Sequence, residues 1–245
     1  MTEHPDHNHE PSKHLLVGIP MQEELNILVR TWEGMGFRAE DSCVGRLPVK
    51  HFPDLNTTIT RGGIGKVRYA VKMQHLLDGC THRDMLICAG TAGSLINGLN
   101  AGDVVVATTI IEHDVRTLSP DLRSPVYETQ DSLVNVFRQV NVPREDLFSI
   151  HSGAIASGDE VICDSQRRCS LSERTGALAV AMEGAGGARA CRFSDVPFLE
   201  IRGLTDAADQ RIATHFLENL EPAMRHVAIV LALAIPALRH DSFHP

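Results

Sequence analysis

Residues 180–190 read VAMEGAGGARA, the end of an apolar strand running into small residues of the kind found where a tightly packed helix starts. One acid, Glu183, stands at that junction, and a carboxylate set among Gly and Ala requires a partner. A strand passing directly into a helix is the unit of a layered α/β fold. The pattern repeats outward from this stretch. HLLVGI (14–19) reads as a buried strand, and MQEELNILVRTWEGMG (21–36) as an amphipathic helix with Leu25, Leu28 and Trp32 on one side and glycines closing it. Further strands are expected at TTIT (57–60), DMLICAG (84–90), DVVVATTII (103–111), LFSIHSGAIAS (147–157), ALAVAM (177–182) and PFLEIRG (197–203). Helical runs fall at 66–78, 130–140, 165–174 and 213–238, the last with Phe216, Leu217, Leu220, Met224, Val227 and Leu231 at helical spacing. Strands alternating with helices predict an α/β layered fold with a parallel or mixed sheet.

A chain of 245 residues with 43% hydrophobic and 22% charged residues is long enough to bury a sizeable core. No repeat or low-complexity linker divides it, so one domain is expected over 15–245, preceded by a disordered polar tail over 1–14. The tail carries four His, but their spacing at 4, 7, 9 and 14 matches no fixed ligand geometry. Lys and Arg total 23 against 31 Asp and Glu, which argues against a nucleic acid or an anionic membrane as partner and favours a small, weakly charged ligand. Six scattered cysteines with no CxxC, and no basic start followed by an apolar run, fit reduced thiols and a cytoplasmic location. VAIVLALAI (227–235) stops at Pro236, too short to span a bilayer, and reads as a buried helix.

Several chemistries are excluded by missing parts. GGIGK (62–66) lacks the first glycine of a phosphate loop and has Val67 where Ser or Thr would hold magnesium. No GxGxxG follows the first strand, and neither HExxH nor GxSxG occurs. What remains is acids at strand exits beside glycines: Glu24 in GIPMQEEL, Glu183, and Asp206 in RGLTDAAD, with the glycine-rich exit CAGTAGS (88–94) as a further edge. Ligands of open α/β sheets collect at such exits. Each acid also has a purely structural reading: Glu24 as a solvated helix-face residue, Asp206 as a cap for the following turn, Glu183 as a first-turn acid favoured by the helix dipole.

The blocks GIPMQEEL, RGGIGKVRYA, CAGTAGSL followed by AGDVVV, ASGDEVI, VAMEGAG and IRGLTDAADQ stand in that order between Leu15 and Leu238. In this the chain resembles the family of purine nucleoside phosphorylases and nucleosidases, most closely the methylthioadenosine/adenosylhomocysteine nucleosidase branch. The resemblance implies a three-layer α/β/α fold with a mixed twisted central sheet, a purine nucleoside as small-molecule partner, a homodimer or larger assembly, and neither metal nor organic cofactor. It further implies three catalytic acids. Asp206 donates a proton or hydrogen bond to the departing purine, Glu24 holds and deprotonates the attacking water, and Glu183 accepts from both ribose hydroxyls and faces the developing cation. Met182, Thr91, Ala92, Gly93, Val161, Ile162, Arg202 and Phe216 are the implied substrate-binding residues.

A phosphate co-substrate needs several positive donors. Phosphorylases of this fold place arginines in the first glycine loop and before the next glycine, where this chain has GIPMQEEL and Cys88-Ala89-Gly90. Only Arg202 is near, so hydrolysis is favoured; a phosphorylase with another anion site and a non-catalytic nucleoside-binding protein stay open. Ala181 stands where the branch has a further Glu, and Val161 where it has an aromatic. The segment after IEHDV is short and carries Arg116 and Arg123 where the family builds its 5′ pocket.

Overall fold

The computed structural model describes residues 13–115, 124–142 and 147–240. Ten strands form one mixed sheet: β1 Leu15–Ile19, β2 Glu40–Val44, β3 Leu47–Phe52, β4 Thr57–Arg61, β5 Met85–Ser94, β6 Val104–Glu112, β7 Val126–Glu128, β8 Ile150–Ser157, β9 Ala179–Ala181 and β10 Phe198–Asp206. The helices are α1 Gln22–Gly34, α2 Lys66–Gly79, α3 Asp131–Arg138, α4 Ser165–Thr175, α5 Gly184–Ser194 and α6 Ile212–His240. β1 lies parallel between β4 and β5, and β5 is also parallel to β10. Two faces of alternate residues follow from the strand period of two. In β1 and β5, Leu15, Val17, Ile19, Met85 and Ile87 pack under α1, α3 and α6, while Leu16, Leu86 and Cys88 pack under α2 and α5. Helices on both faces of a mixed sheet give the three-layer α/β/α architecture.

One part of the sheet closes on itself. β5 pairs with β10 on one side and with β9 on the other, and the path β10–β6–β8–β9 returns to β5. Closure brings strand exits of opposite direction to one place. β8 and β9 run parallel to each other and β9 runs antiparallel to β5, yet Val180 of β9 sits beside Gly93 of β5. A bulge in β10 between Leu204 and Asp206 re-aims the last side chain of that strand against Gly93.

α6 is long and apolar enough, by length and composition, to cross a membrane. Here Met224, Val227, Leu231, Ile235 and Leu238 are buried in the core, and Trp32 Nε1 of α1 donates to the Ala228 carbonyl at 2.9 Å. Leu217, expected on the apolar face of this helix, instead points to solvent, 75% exposed. The hairpin β2–β3 and the short β7 were not anticipated; β2 is exposed almost throughout and so shows no apolar alternation. Residues 1–12 of the expected tail lie outside the described residues, as do Arg116 and Arg123. Its last residue is built into the fold: His14 ring nitrogens lie 3.0 Å from Asn56 Oδ1 and 3.0 Å from Thr58 Oγ1.

Candidate active site

A cavity of about 430 Å³ opens where the closed part of the sheet meets β1, and its lining includes all eleven residues singled out in the sequence. Glu24 reaches it from the first turn of α1. Its side chain is buried, and a solvated position on the helix face is excluded. The Thr91 backbone N–H and hydroxyl both donate to Oε1 at 2.7 Å, and the Met21 N–H donates to Oε2 at 2.9 Å. Burial raises its pKa, against the opposing pull of Arg202 and these donors.

Asp206 ends β10 on the far side of Thr91–Gly93. Thr205 Oγ1 donates to its Oδ2 at 2.7 Å and the Ala208 N–H to its Oδ1 at 2.8 Å. It does brace the turn after it, in which Ala208 takes a left-handed φ of 49°, and its carboxyl lines the cavity as well. Burial raises its pKa too, opposed by the Thr205 hydroxyl and the Ala208 N–H. Gly93 is required beneath it: a Cβ there would lie 2.9 Å from Asp206 Oδ1 and 3.1 Å from Ala208 Cβ.

Glu183 does not cap its own helix. Its Oε1 accepts from the N–H of Gly65, the residue that opens α2, at 2.9 Å, and its Oε2 from Arg202 Nη2 at 3.0 Å. The small residues after it make room for protein groups rather than for a ligand. A Cβ on Gly184 would meet Glu200 Oε2 at 1.9 Å, one on Gly186 the Lys66 carbonyl at 2.3 Å, and one on Gly187 the Phe198 ring at 2.7 Å.

Arg202 is fully buried and its N–H groups face the protein. Nε donates to Glu200 Oε1 at 2.8 Å, Nη1 to the Thr91 carbonyl at 3.2 Å, and Nη2 to Glu183 and to Cys88 Sγ at 3.2 Å. It reaches the cavity wall as a counter-charge for Glu183 and Glu200. Glu200 was not anticipated: it lies in the same buried strand two residues before Arg202, so both point to one face. Its carboxyl is raised by burial, with Arg202 opposing, and its Oε2 has no partner.

The rest of the wall is apolar. Met182, Val180, Ala181, Ile162, Ala208, Phe216, Ile212, Pro20, Met21 and Ile64 line it, with Ala92 and Gly93 as floor. Val161 and Ile162 part company: Ile162 is buried, whereas Val161 is 59% exposed at the mouth. A fourth acid missed in the sequence, Glu160, also lines the cavity and takes two bonds from Arg167, at 2.8 and 2.6 Å. Among the described residues, four carboxyl groups and one engaged guanidinium therefore face an apolar slot. Such a wall suits an uncharged ligand with hydroxyl donors and repels a dianion.

Comparison with known proteins shows the family to which this fold belongs. Residues 15–236 match the model of the phosphorylase superfamily. A 5′-methylthioadenosine/S-adenosylhomocysteine nucleosidase of Exiguobacterium is 35% identical over 179 residues, covering 69% of this chain and 76% of that protein. The Streptococcus pneumoniae enzyme of that name, solved with a transition-state inhibitor, superposes with a TM-score of 0.79 at 26% identity, covering 92% of this chain and 99% of the other. A futalosine hydrolase of Helicobacter pylori superposes with a TM-score of 0.78 at 25% identity, covering 92% and 98%.

Proposed function

Because the chain belongs to the phosphorylase superfamily, within the methylthioadenosine/adenosylhomocysteine nucleosidase branch, we propose that it hydrolyses the N-glycosidic bond of an adenine-type nucleoside, of which methylthioadenosine and adenosylhomocysteine are the leading candidates, releasing free base and the ribosyl product. The observation that carries this reading is the wall itself. Three acids from distant parts of the chain converge on one cavity whose single cation among the described residues, Arg202, is already engaged by protein groups.

Each acid has work suited to its surroundings. Asp206, kept protonated to higher pH by burial, donates to a purine ring nitrogen as the bond to the sugar lengthens, so that the base departs neutral. Glu24, also raised, is a stronger base than an exposed carboxylate when ionised; two Thr91 donors fix one oxygen, and the carboxylate takes a proton from the attacking water. Each oxygen of Glu183 accepts one protein hydrogen bond and keeps a lone pair for one of two adjacent ribose hydroxyls, while the negative charge faces the oxocarbenium-like sugar. Met182 packs on the sugar; Ile162 and Phe216 flank the base. Water serves as nucleophile in preference to phosphate because, among the described residues, the one cation on the wall, Arg202, is engaged by protein groups.

Two finer points belong to the same proposal. All six cysteines are free, which supports a reducing, cytoplasmic setting. Val67 and Val71, one turn apart on the outer face of α2 and both exposed, support a homodimer.

The test is base release from adenosine, methylthioadenosine, adenosylhomocysteine, inosine and AMP, with and without phosphate. Cleavage of one or more adenine nucleosides independent of phosphate is expected, with Asp206→Asn and Glu24→Gln each lowering kcat/KM by about 10²–10⁴-fold. A strict phosphate requirement with ribose 1-phosphate as product would establish a phosphorylase instead. Tight nucleoside binding without release of any base would leave only a binding protein.

A further inference from the structure

The glycine loop that fails as a phosphate loop, GGIGK at 62–66, has a different use. Gly65 and Lys66 are anchored at three points. The Gly65 N–H donates to Glu183 Oε1 at 2.9 Å, the Lys66 N–H to Asp159 Oδ1 at 2.7 Å, and Lys66 Nζ to Glu112 Oε1 at 2.8 Å and Asp114 Oδ1 at 2.6 Å. The anchors are themselves tied together. The Asp159 N–H donates to Asp114 Oδ2 at 2.8 Å, and Arg189 of α5 donates to Glu112 Oε1 at 3.0 Å. Gly65 holds a φ of 86°, open to glycine, with Asp159 Oδ1 3.0 Å from where a Cβ would stand. Burial opposes the Lys66 charge, but the bonds and fields of Asp114 and Glu112 outweigh it and raise the ammonium above its ordinary value.

Glu183 is thereby steered from two sides, Arg202 on one oxygen and the Gly65 N–H on the other. We propose that Lys66 is a positioning residue for Glu183: clamped between Glu112 and Asp114, it holds the start of α2 in place, and with it the adjoining Ile64–Gly65 peptide whose Gly65 N–H aims the Glu183 carboxylate at the sugar diol. The inference rests on the sugar-binding role given above to Glu183. Lys66 does not itself line the cavity. Without its ammonium the segment is held by the Lys66 N–H to Asp159 and by the Tyr69 N–H to the Gly65 carbonyl at 3.1 Å, but loses the side-chain clamp, and Glu183 gains freedom to pivot about Arg202.

A general loss of stability affects all substrates alike, whereas a misaimed Glu183 affects those that offer it the full diol. The measurement is therefore kcat/KM for 5′-methylthioadenosine and for its 2′-deoxy counterpart, in the full chain, with thermal unfolding followed separately. Lys66→Met is expected to lower the ribose-to-deoxyribose ratio by about tenfold, and Lys66→Arg, which keeps the charge, to restore most of it. Glu112 retains Arg189 as counter-ion in the variant, so the fold is expected to survive. If Lys66→Met does not fold, Asp159→Ala, at an exposed position, carries the same test through the second anchor. An unchanged ratio, or equal losses on both substrates, overturns the proposal. Glu183→Gln separates the two levels. If it leaves ribonucleoside cleavage intact, the sugar role fails and this inference with it; if it cripples cleavage while Lys66→Met keeps the ratio, the inference alone fails.

Discussion

Burial raises both Glu24 and Asp206, and the two shifts act on opposite limbs of a rate profile. In the role proposed for it, Glu24 works as an anion. A raised pKa means that it takes up its proton at a higher pH than an exposed glutamate, so the acid limb of kcat/KM lies above the ordinary value of 4.5. Asp206, as the proposed acid, keeps its proton on through its raised pKa, and the alkaline limb is expected above the ordinary 3.8. Thr205 gives a handle on one limb alone. Its hydroxyl donates to Asp206 Oδ2 and favours the anion, so Thr205→Val raises Asp206 further. The expected outcome is an alkaline limb moved to higher pH with the acid limb unmoved, read from kcat/KM against pH on an uncharged nucleoside; a downward shift would contradict the acid role. The three acids stood out at strand exits, where each also had a structural reading, and it was the resemblance of the surrounding blocks to the nucleosidase branch that assigned them to one site. Glu200 and Lys66 did not stand out, since a carboxylate in a buried strand and a lysine at a helix start look ordinary until their partners, 2 and 46 to 48 residues away, are brought in.

Among the elements, α5 shows how little tolerance the site has. Alanine favours a helix interior over glycine by about 1 kcal/mol, so propensity alone predicts that Gly186→Ala stabilises. Packing opposes it: the new methyl would stand 2.3 Å from the Lys66 carbonyl, a backbone atom with no rotamer to change. Overpacking of this kind costs about 1–3 kcal/mol, and the net expectation is destabilisation, checked by denaturant unfolding of Gly186→Ala against wild type. Gly34→Ala is the control in open space, with no atom within 4 Å of its would-be Cβ. Elements with one buried face were readable for the same reason that they pack: Leu25, Leu28 and Trp32 of α1 and the alternating residues of β1 and β5 meet a core. The hairpin β2–β3 escaped because β2 meets mostly solvent, and β9 shrank to three residues because its pairing ends where the chain turns to present Glu183.

At the scale of the whole molecule, closure of the sheet leaves the cavity open beside exposed Ile64 and Val161, and the outer face of α2 beside it carries Val67 at 71% and Val71 at 65% exposure. Val67 directly follows Lys66, so any partner seated there lies one residue from the clamp that steers Glu183. A two-fold interface counts every contact twice, and burying one valine fully is worth about 1.5–3 kcal/mol, so in the proposed homodimer with this face at the seam, four valines would contribute several kcal/mol toward association. Val71→Asp reverses that contribution and sets two like charges near the axis without a partner. Wild type is expected to sediment as a dimer. Val71→Asp is expected to dissociate at least about 100-fold more readily, a shift of roughly 2.7 kcal/mol, with its circular dichroism unchanged because the position is exposed in the single chain. A wild type that stays monomeric at high concentration overturns the dimer, and a variant that dimerises as before moves the seam elsewhere; a monomer with full hydrolytic activity would show that one chain completes the cavity by itself.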